Sequence, residues 1–276
     1  MTADALRRAL GDALGREVIA LRPVAGGSLN DAYAARLADG EKVFVKTRPG
    51  AAPEEFATEA EGLRWLADAG GVRVAEVLAV GEDWLALRWI ESGRLDAAGE
   101  EELGRGLAEL HRAGAPAFGG PRPLRIGPLE LPNEPGDDWP SFYATRRLEP
   151  LAGRAGLSGV VARVCSRIDA IAGPAEPPAR LHGDLWSGNV LAGADGRPWL
   201  IDPAAYGGHR EVDLAMLTLF GRPAPRTLAA YDEVWARADG HEERLALYQL
   251  FPLLVHAVLF GGGYVASAEA AARRYV

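Results

Sequence analysis

A chain of 276 residues, 48% hydrophobic and 25% charged, has the composition of a globular protein long enough for a sizeable core and two lobes. A net charge of −8 argues against a general nucleic-acid binder, and a single cysteine, Cys165, excludes an internal disulfide or a cysteine-based zinc cluster. With no run of 18 apolar residues and no signal-peptide pattern after Met1, the expectation is a cytoplasmic protein without a membrane partner.

Residues 4–14 carry apolar positions at helical spacing. Val18–Val24, Asp31–Leu37 and Glu41–Thr47 read as strands, the last two joined by the Asp39-Gly40 hairpin turn. The first two are joined by Gly26-Gly27-Ser28, where glycines let the backbone approach a phosphate closely. In the third strand Val43 and Val45 share one face, and Phe44 and Lys46 the other. Pro53–Ala69 reads as a helix with Phe56, Ala60, Leu63 and Leu66 on its core face, and Glu59 lies on its first part. Val74–Val80 and Trp84–Ile90 complete a five-stranded, mostly antiparallel small lobe. Arg88-Trp89-Ile90 leads out of it as a hinge, and the lobe boundary is expected near residue 92. The fold class is therefore α+β and bilobal, with lobes over 1–92 and 93–276.

Leu95–Ala113 is a helix whose end carries His111, which reads as a helix-end or packing residue. Residues 114–138 form a long Gly- and Pro-rich loop, a kind of segment that is usually functional or disordered. Trp139–Leu151 and Leu157–Ile171 are expected as helices. Beyond residue 206 the chain reads as helical: an apolar helix opens at Tyr206–Asp213, and others follow from Leu228 to Tyr275. The apolar run Leu250–Phe260 is too short to span a membrane, and His256 on it reads as a core residue.

Between these helices lies Leu181-His182-Gly183-Asp184-Leu185-Trp186-Ser187-Gly188-Asn189-Val190-Leu191, followed by Leu200-Ile201-Asp202-Pro203. Apolar flanks pin a polar turn to a core, so its polar side chains must face a cleft. Asn189 and Asp202 offer the oxygen ligands that Mg²⁺ prefers, which leaves Asp184 to accept a proton. That division of labour suits kinase-type phosphoryl transfer. Only two of the 30 Lys and Arg residues are lysines, Lys42 and Lys46, so a retained lysine points to a compact charge for phosphate. A buried Asp213 must find donors, and the amides of the Asp184 turn are the nearest candidates.

These motifs, together with Phe56-x-x-Glu59-Ala60, Leu110-His111-Arg112, Asp138-Trp139 and Tyr206-Gly207-x-His209-Arg210-Glu211-Val212-Asp213, resemble the fructosamine kinase (ketosamine-3-kinase) family. That family lies in the aminoglycoside-phosphotransferase branch of the protein-kinase-like fold. The resemblance implies ATP-dependent, Mg²⁺-dependent phosphorylation of the 3-hydroxyl of a ketosamine, a sugar attached to an amine by glycation, with deglycation as the outcome. It implies Asp184 as base, Asn189 and Asp202 as metal ligands, Lys46 on phosphate and Glu59 orienting Lys46. Gly26, Gly27 and Ser28 would cover the nucleotide, and Arg88, Trp89 and Ile90 would present backbone to adenine. Asp213 would support the catalytic turn, with Trp186, His182 and His209 as candidate substrate contacts. Many relatives carry Cys where Ser28 stands, so a dimer linked by a disulfide through that turn is not expected, and a monomer is. Many also carry Glu where Arg88 stands. The competing readings are a kinase for an aminoglycoside or other hydroxyl metabolite and a nucleotide-binding scaffold. A protein kinase is disfavoured, because Tyr206–Asp213 follows Asp202 too closely for an activation loop.

Overall fold

The computed structural model describes residues 2–24, 30–52 and 54–276. The Gly26-Gly27-Ser28 turn lies outside them. Helix α1 (Ala3–Leu14) is capped by Thr2, whose hydroxyl accepts from the Ala5 amide, and ends at Gly15 in the left-handed conformation. Strands β1 (Val18–Pro23), β2 (Asp31–Leu37) and β3 (Lys42–Thr47) follow. Helix α2 (Glu55–Asp68) buries Phe56, Ala60, Leu63 and Leu66, as their spacing predicts. Next come β4 (Arg73–Val74), β5 (Val77–Val80) and β6 (Trp84–Arg88).

Five of these strands form an antiparallel sheet in the order β1-β2-β3-β6-β5. Leu6 and Leu10 of α1 pack on one face against Val43 and Val45. Phe44 and Lys46 therefore turn to the opposite face, toward the second lobe, as strand alternation requires.

The stretch expected as one strand over 74–80 is divided. Val74 belongs to β4, which runs parallel to a strand near residue 200, and only Val77–Val80 joins the large sheet. The two halves have different partners: β5 forms a hairpin with the neighbouring β6, whereas the partner of β4 lies more than a hundred residues away.

The second lobe begins with α3 (Ala97–Arg112), N-capped by Asp96, whose carboxylate accepts from the Gly99 amide at 2.7 Å. The segment expected as irregular contains a short hairpin, β7 (Leu124–Ile126) and β8 (Leu129–Leu131). Helix α4 (Trp139–Phe142) passes through a π-helical turn (Tyr143–Leu148) into α5 (Glu149–Ala152), and α6 (Ser158–Cys165) and α7 (Ile168–Ile171) follow. The central stretch is framed by β9 (Ala179–Leu181), β10 (Val190–Ala192), β11 (Pro198–Leu200) and β12 (Tyr206–Gly208). β10 and β11 form a hairpin that β4 extends, and β12 pairs with β9. Tyr206 thus starts a strand rather than a helix; helix α8 spans Glu211–Leu217.

Helices α9 (Pro225–Val234), α10 (His241–Phe260) and α11 (Gly263–Arg273) close the chain. The apolar run near 250 proves to be the second half of the 20-residue α10, which is long and apolar enough to cross a membrane by length and composition. It is instead packed in the protein: Leu247, Leu250, Phe251 and Leu254 sit in the main core.

Candidate active site

A cleft of about 1050 Å³ opens between the sheet and the helical lobe. Lys46, Glu59, Asp184, Trp186, Asn189 and Asp202 all line it. These residues come from β3, α2, the central turn and the end of β11, so the fold brings together groups up to 156 positions apart.

Lys46 is buried in the middle of the sheet, paired across to Ala32 on one side and Leu85 on the other. Its Nζ lies 2.5 Å from Glu59 Oε1 and 3.0 Å from Asp202 Oδ1. Burial pulls the ammonium's pKa down, but the two carboxylates outweigh it, so the group stays charged with its pKa raised. Lys42 is different: it pairs at the surface with Glu91 at 2.7 Å.

The central turn is held by backbone and side chain together. Asp213 accepts from the His182 amide at 2.7 Å and the Gly183 amide at 2.9 Å. His111 supplies a third partner, its Nε2 3.3 Å from Asp213 Oδ2, while its Nδ1 meets Tyr231 Oη at 2.8 Å. Gly183 has φ 81°, and a Cβ there would stand 1.9 Å from the Ala204 carbonyl oxygen, so only glycine lets the two segments approach this closely. Asp202 also adopts a left-handed φ of 55°, which Asp tolerates better than most residues.

Asn189 Nδ2 donates to the Asp184 carbonyl at 2.8 Å and to Asp184 Oδ2 at 3.0 Å. That fixes the carboxamide, and among the described residues no donor reaches its Oδ1. Asp202 presents a partly exposed carboxylate to the same cleft. Two hard oxygen donors of this kind fit a magnesium ion, which completes its shell with phosphate and water oxygens. Among the described residues there is no cluster of three or more His, Cys, Asp or Glu, so an all-protein metal cage is not built. Burial pushes the Asp184 carboxyl up to about 7, aided by Asp202 and Asp213 and opposed by the Asn189 hydrogen bond.

Two expected substrate contacts do not reach the cleft. His182 is buried and outside the lining: Nε2 donates to the Ile201 carbonyl at 2.9 Å, and Nδ1 accepts from the Asp184 amide at 3.3 Å. It clamps the turn to the strand end preceding Asp202. His209 is buried too, stacked on Tyr248 at 5.2 Å with 11° between the rings. Its neighbours also point inward. Arg210 forms two 2.8 Å bonds to Glu176, and Glu211 pairs with Arg244 at 2.7 and 2.9 Å. Burial lowers the pKa of both histidines and keeps them neutral.

Arg88, Trp89 and Ile90 lie outside the lining of this cleft. The Arg88 side chain turns outward to Glu76 at 2.5 Å, and the Trp89 ring sits under Lys42.

Trp186 does line the cleft, its ring edge-on to Phe220 at 5.9 Å. His256 joins this wall instead of the core, 5.0 Å from the rings of Phe220 and Tyr264. Its Nδ1 donates to the Pro252 carbonyl at 2.7 Å, and burial lowers its pKa, which leaves a neutral ring. No sequence spacing separates such a histidine from a core one, because both lie on apolar helix positions.

Comparison with known proteins finds similarity along almost the whole chain. The family model for fructosamine kinase matches residues 2–276. A probable ketoamine kinase of Synechocystis sp. is 38% identical over 259 residues, 90% of this chain and 87% of that protein. The chloroplastic protein-ribulosamine 3-kinase of Oryza sativa subsp. indica is 33% identical over 267 residues, 91% of this chain and 77% of that protein. A crystal structure from Thermobifida fusca named for fructosamine-3-kinase has a TM-score of 0.92 and 40% identity, covering 99% of both chains.

Proposed function

From a chain that belongs to the fructosamine kinase family, we infer that this cleft transfers the terminal phosphoryl group of ATP to the 3-hydroxyl of a ketosamine. The carrying observation is the convergence of Lys46, Asp184, Asn189 and Asp202 on one cleft. The family and its relatives support the phosphotransferase activity and the ketosamine class, and the side-chain roles below are the mechanism we propose for it.

Lys46, kept charged by Glu59 and Asp202, gives the nucleotide phosphates a fixed cation. Asn189 and Asp202 would hold Mg²⁺, which when bound neutralises charge on the phosphate oxygens. Asp184 accepts the proton of the sugar hydroxyl as its oxygen bonds to the γ-phosphorus and the bond to ADP breaks. Asn189 points the Asp184 carboxylate, and Asp213 with His111 holds the backbone beneath it. The Trp186 ring offers the flat apolar face that sugar C–H surfaces prefer. Residues 88–90 would contribute backbone groups to adenine, and the Gly26-Gly27-Ser28 turn would cover the phosphates. Every residue of the proposed catalytic set lies in this chain, so the reaction as proposed needs no second copy.

The test is an ADP-release assay with fructosyl-lysine, ribulosyl-lysine, aminoglycosides and choline, each with and without Mg²⁺. Turnover is expected with a ketosamine and only when Mg²⁺ is present. Faster turnover of an aminoglycoside or choline would overturn the acceptor, and activity indifferent to chelation would overturn the metal.

A further inference from the structure

The segment between α3 and α4 leaves the helical lobe, lines the cleft and takes hold of α2. Arg122 is the grip. Its Nη1 lies 2.6 Å from Glu54 Oε2, its Nε 2.9 Å from Glu61 Oε2, and its Nη2 donates to Glu61 Oε1 at 3.1 Å. Glu54 and Glu61 stand about two helical turns apart on one side of α2. Glu59, the partner of Lys46, lies between them in sequence. Glu54 immediately precedes the helix at φ 64°, an uncommon conformation for a residue with a side chain.

The grip has a rigid base. Asn133 Nδ2 donates to the Arg122 carbonyl at 2.8 Å, and Asn133 Oδ1 accepts from Arg147 Nη2 at 2.5 Å. The Arg147 guanidinium is buried and lies 4.1 Å from the centre of the Tyr206 ring. One of only three asparagines in the chain therefore both donates and accepts to fix this segment. Helix α2 also leans on the helical lobe at Gly62, where an added Cβ would come within 3.2 Å of the Ala205 Cβ.

We propose that Arg122 is a positioning residue for phosphoryl transfer, tying the cleft-lining segment of the helical lobe to α2 so that Glu59 stays on Lys46. This rests on the phosphoryl-transfer reading of the cleft but not on the identity of the acceptor. The hydrophobic face of α2 keeps the helix folded without Arg122, and what the arginine adds is the placement of the helix relative to the helical lobe. Its ion pairs are partly exposed, so the effect is modest and weakens as salt screens it.

The experiment compares R122A, E61Q, R122E and the charge swap R122E/E61R by steady-state kinetics, thermal unfolding and binding of a fluorescent ATP analogue. R122A is expected to lose about three- to tenfold in kcat/KM for ATP and in analogue affinity at low salt, with its unfolding midpoint unchanged. E61Q should lose part of that, and raising the salt to about 0.5 M should bring the wild type toward R122A. The swap should recover part of what R122E loses. Wild-type nucleotide affinity in both R122A and E61Q, or a swap no better than R122E, would overturn the proposal. So would losses that merely follow the unfolding midpoint. Because nucleotide binding is read without an acceptor, a wild type that binds the analogue but leaves every ketosamine unphosphorylated overturns the acceptor reading alone.

Discussion

Asp184 shows how one side chain acquires a role from its surroundings. Half-buried on the cleft floor, it has a carboxyl raised to about 7 by burial, and Asn189 orients it through a 3.0 Å hydrogen bond. A base with its pKa near the working pH takes a hydroxyl proton more effectively than an ordinary exposed carboxylate. Replacing Asp184 with Asn keeps the volume and removes the proton acceptor. The expected outcome is a fall in kcat of about 10²- to 10⁴-fold, with MgATP affinity within a fewfold of wild type, measured by single-turnover kinetics and nucleotide titration. A variant that turns over at near wild-type speed would remove Asp184 from the base role. His182, two residues earlier, carries the opposite lesson. The family resemblance offers it as a candidate substrate contact, but its imidazole is used up by the Ile201 carbonyl and the Asp184 amide.

At the scale of elements, the central turn works because Gly183 permits β9 and the segment after Asp202 to touch. Gly183→Ala must fail on two counts: the residue sits at φ 81°, and the new methyl would meet the Ala204 carbonyl, part of a backbone that cannot swing aside. A loss of about 2–4 kcal/mol in urea unfolding is expected, with activity falling further than stability because the Asp184 amide moves with the turn. Full activity in a normally folded G183A would mean the contact is not needed. This turn was legible in the sequence because its polar residues stand in a short apolar frame, and α2 was legible because four core residues recur at helical spacing. The division of 74–80 was not, since Val74 pairs with Leu200 and no local pattern announces a partner so distant. Nor was the hairpin at Leu124–Leu131, whose strands are too short for alternation to register, or the inward turn of His209-Arg210-Glu211, whose charges find partners at Glu176 and Arg244. Polar residues in a motif announce that they have partners, but the sequence does not say whether those partners are substrate or protein.

Across the whole molecule, the helical lobe is stitched by charges buried away from the cleft. Glu176, in the connector before β9, takes two hydrogen bonds from Arg210, whose guanidinium also donates to the Trp235 and Ala236 carbonyls at the end of α9. Burial alone would raise the Glu176 carboxyl, but Arg210 outweighs it and holds the pKa below the ordinary value. The folded state thus binds this proton less readily than the unfolded chain does. Its contribution is fully present above the unfolded carboxyl value of about 4.3 and is lost as the pH falls through the lower folded value. The overall pH profile mixes signs. The buried neutral histidines His182, His209 and His256 also cost stability below about 6.5, whereas the raised carboxyl of Asp184 takes up protons on folding and works the other way. A difference measurement isolates the pair. Glu176→Gln leaves the buried Arg210 charge uncompensated and is expected to cost about 3 kcal/mol in urea unfolding at pH 7. That gap should stay nearly constant down to about pH 5, narrow below the unfolded carboxyl value of about 4.3, and close only as the pH falls through the lower folded value. A gap that widens on acidification, or that is absent at pH 7, would show that the Glu176–Arg210 pair does not bind the connector to the end of α9.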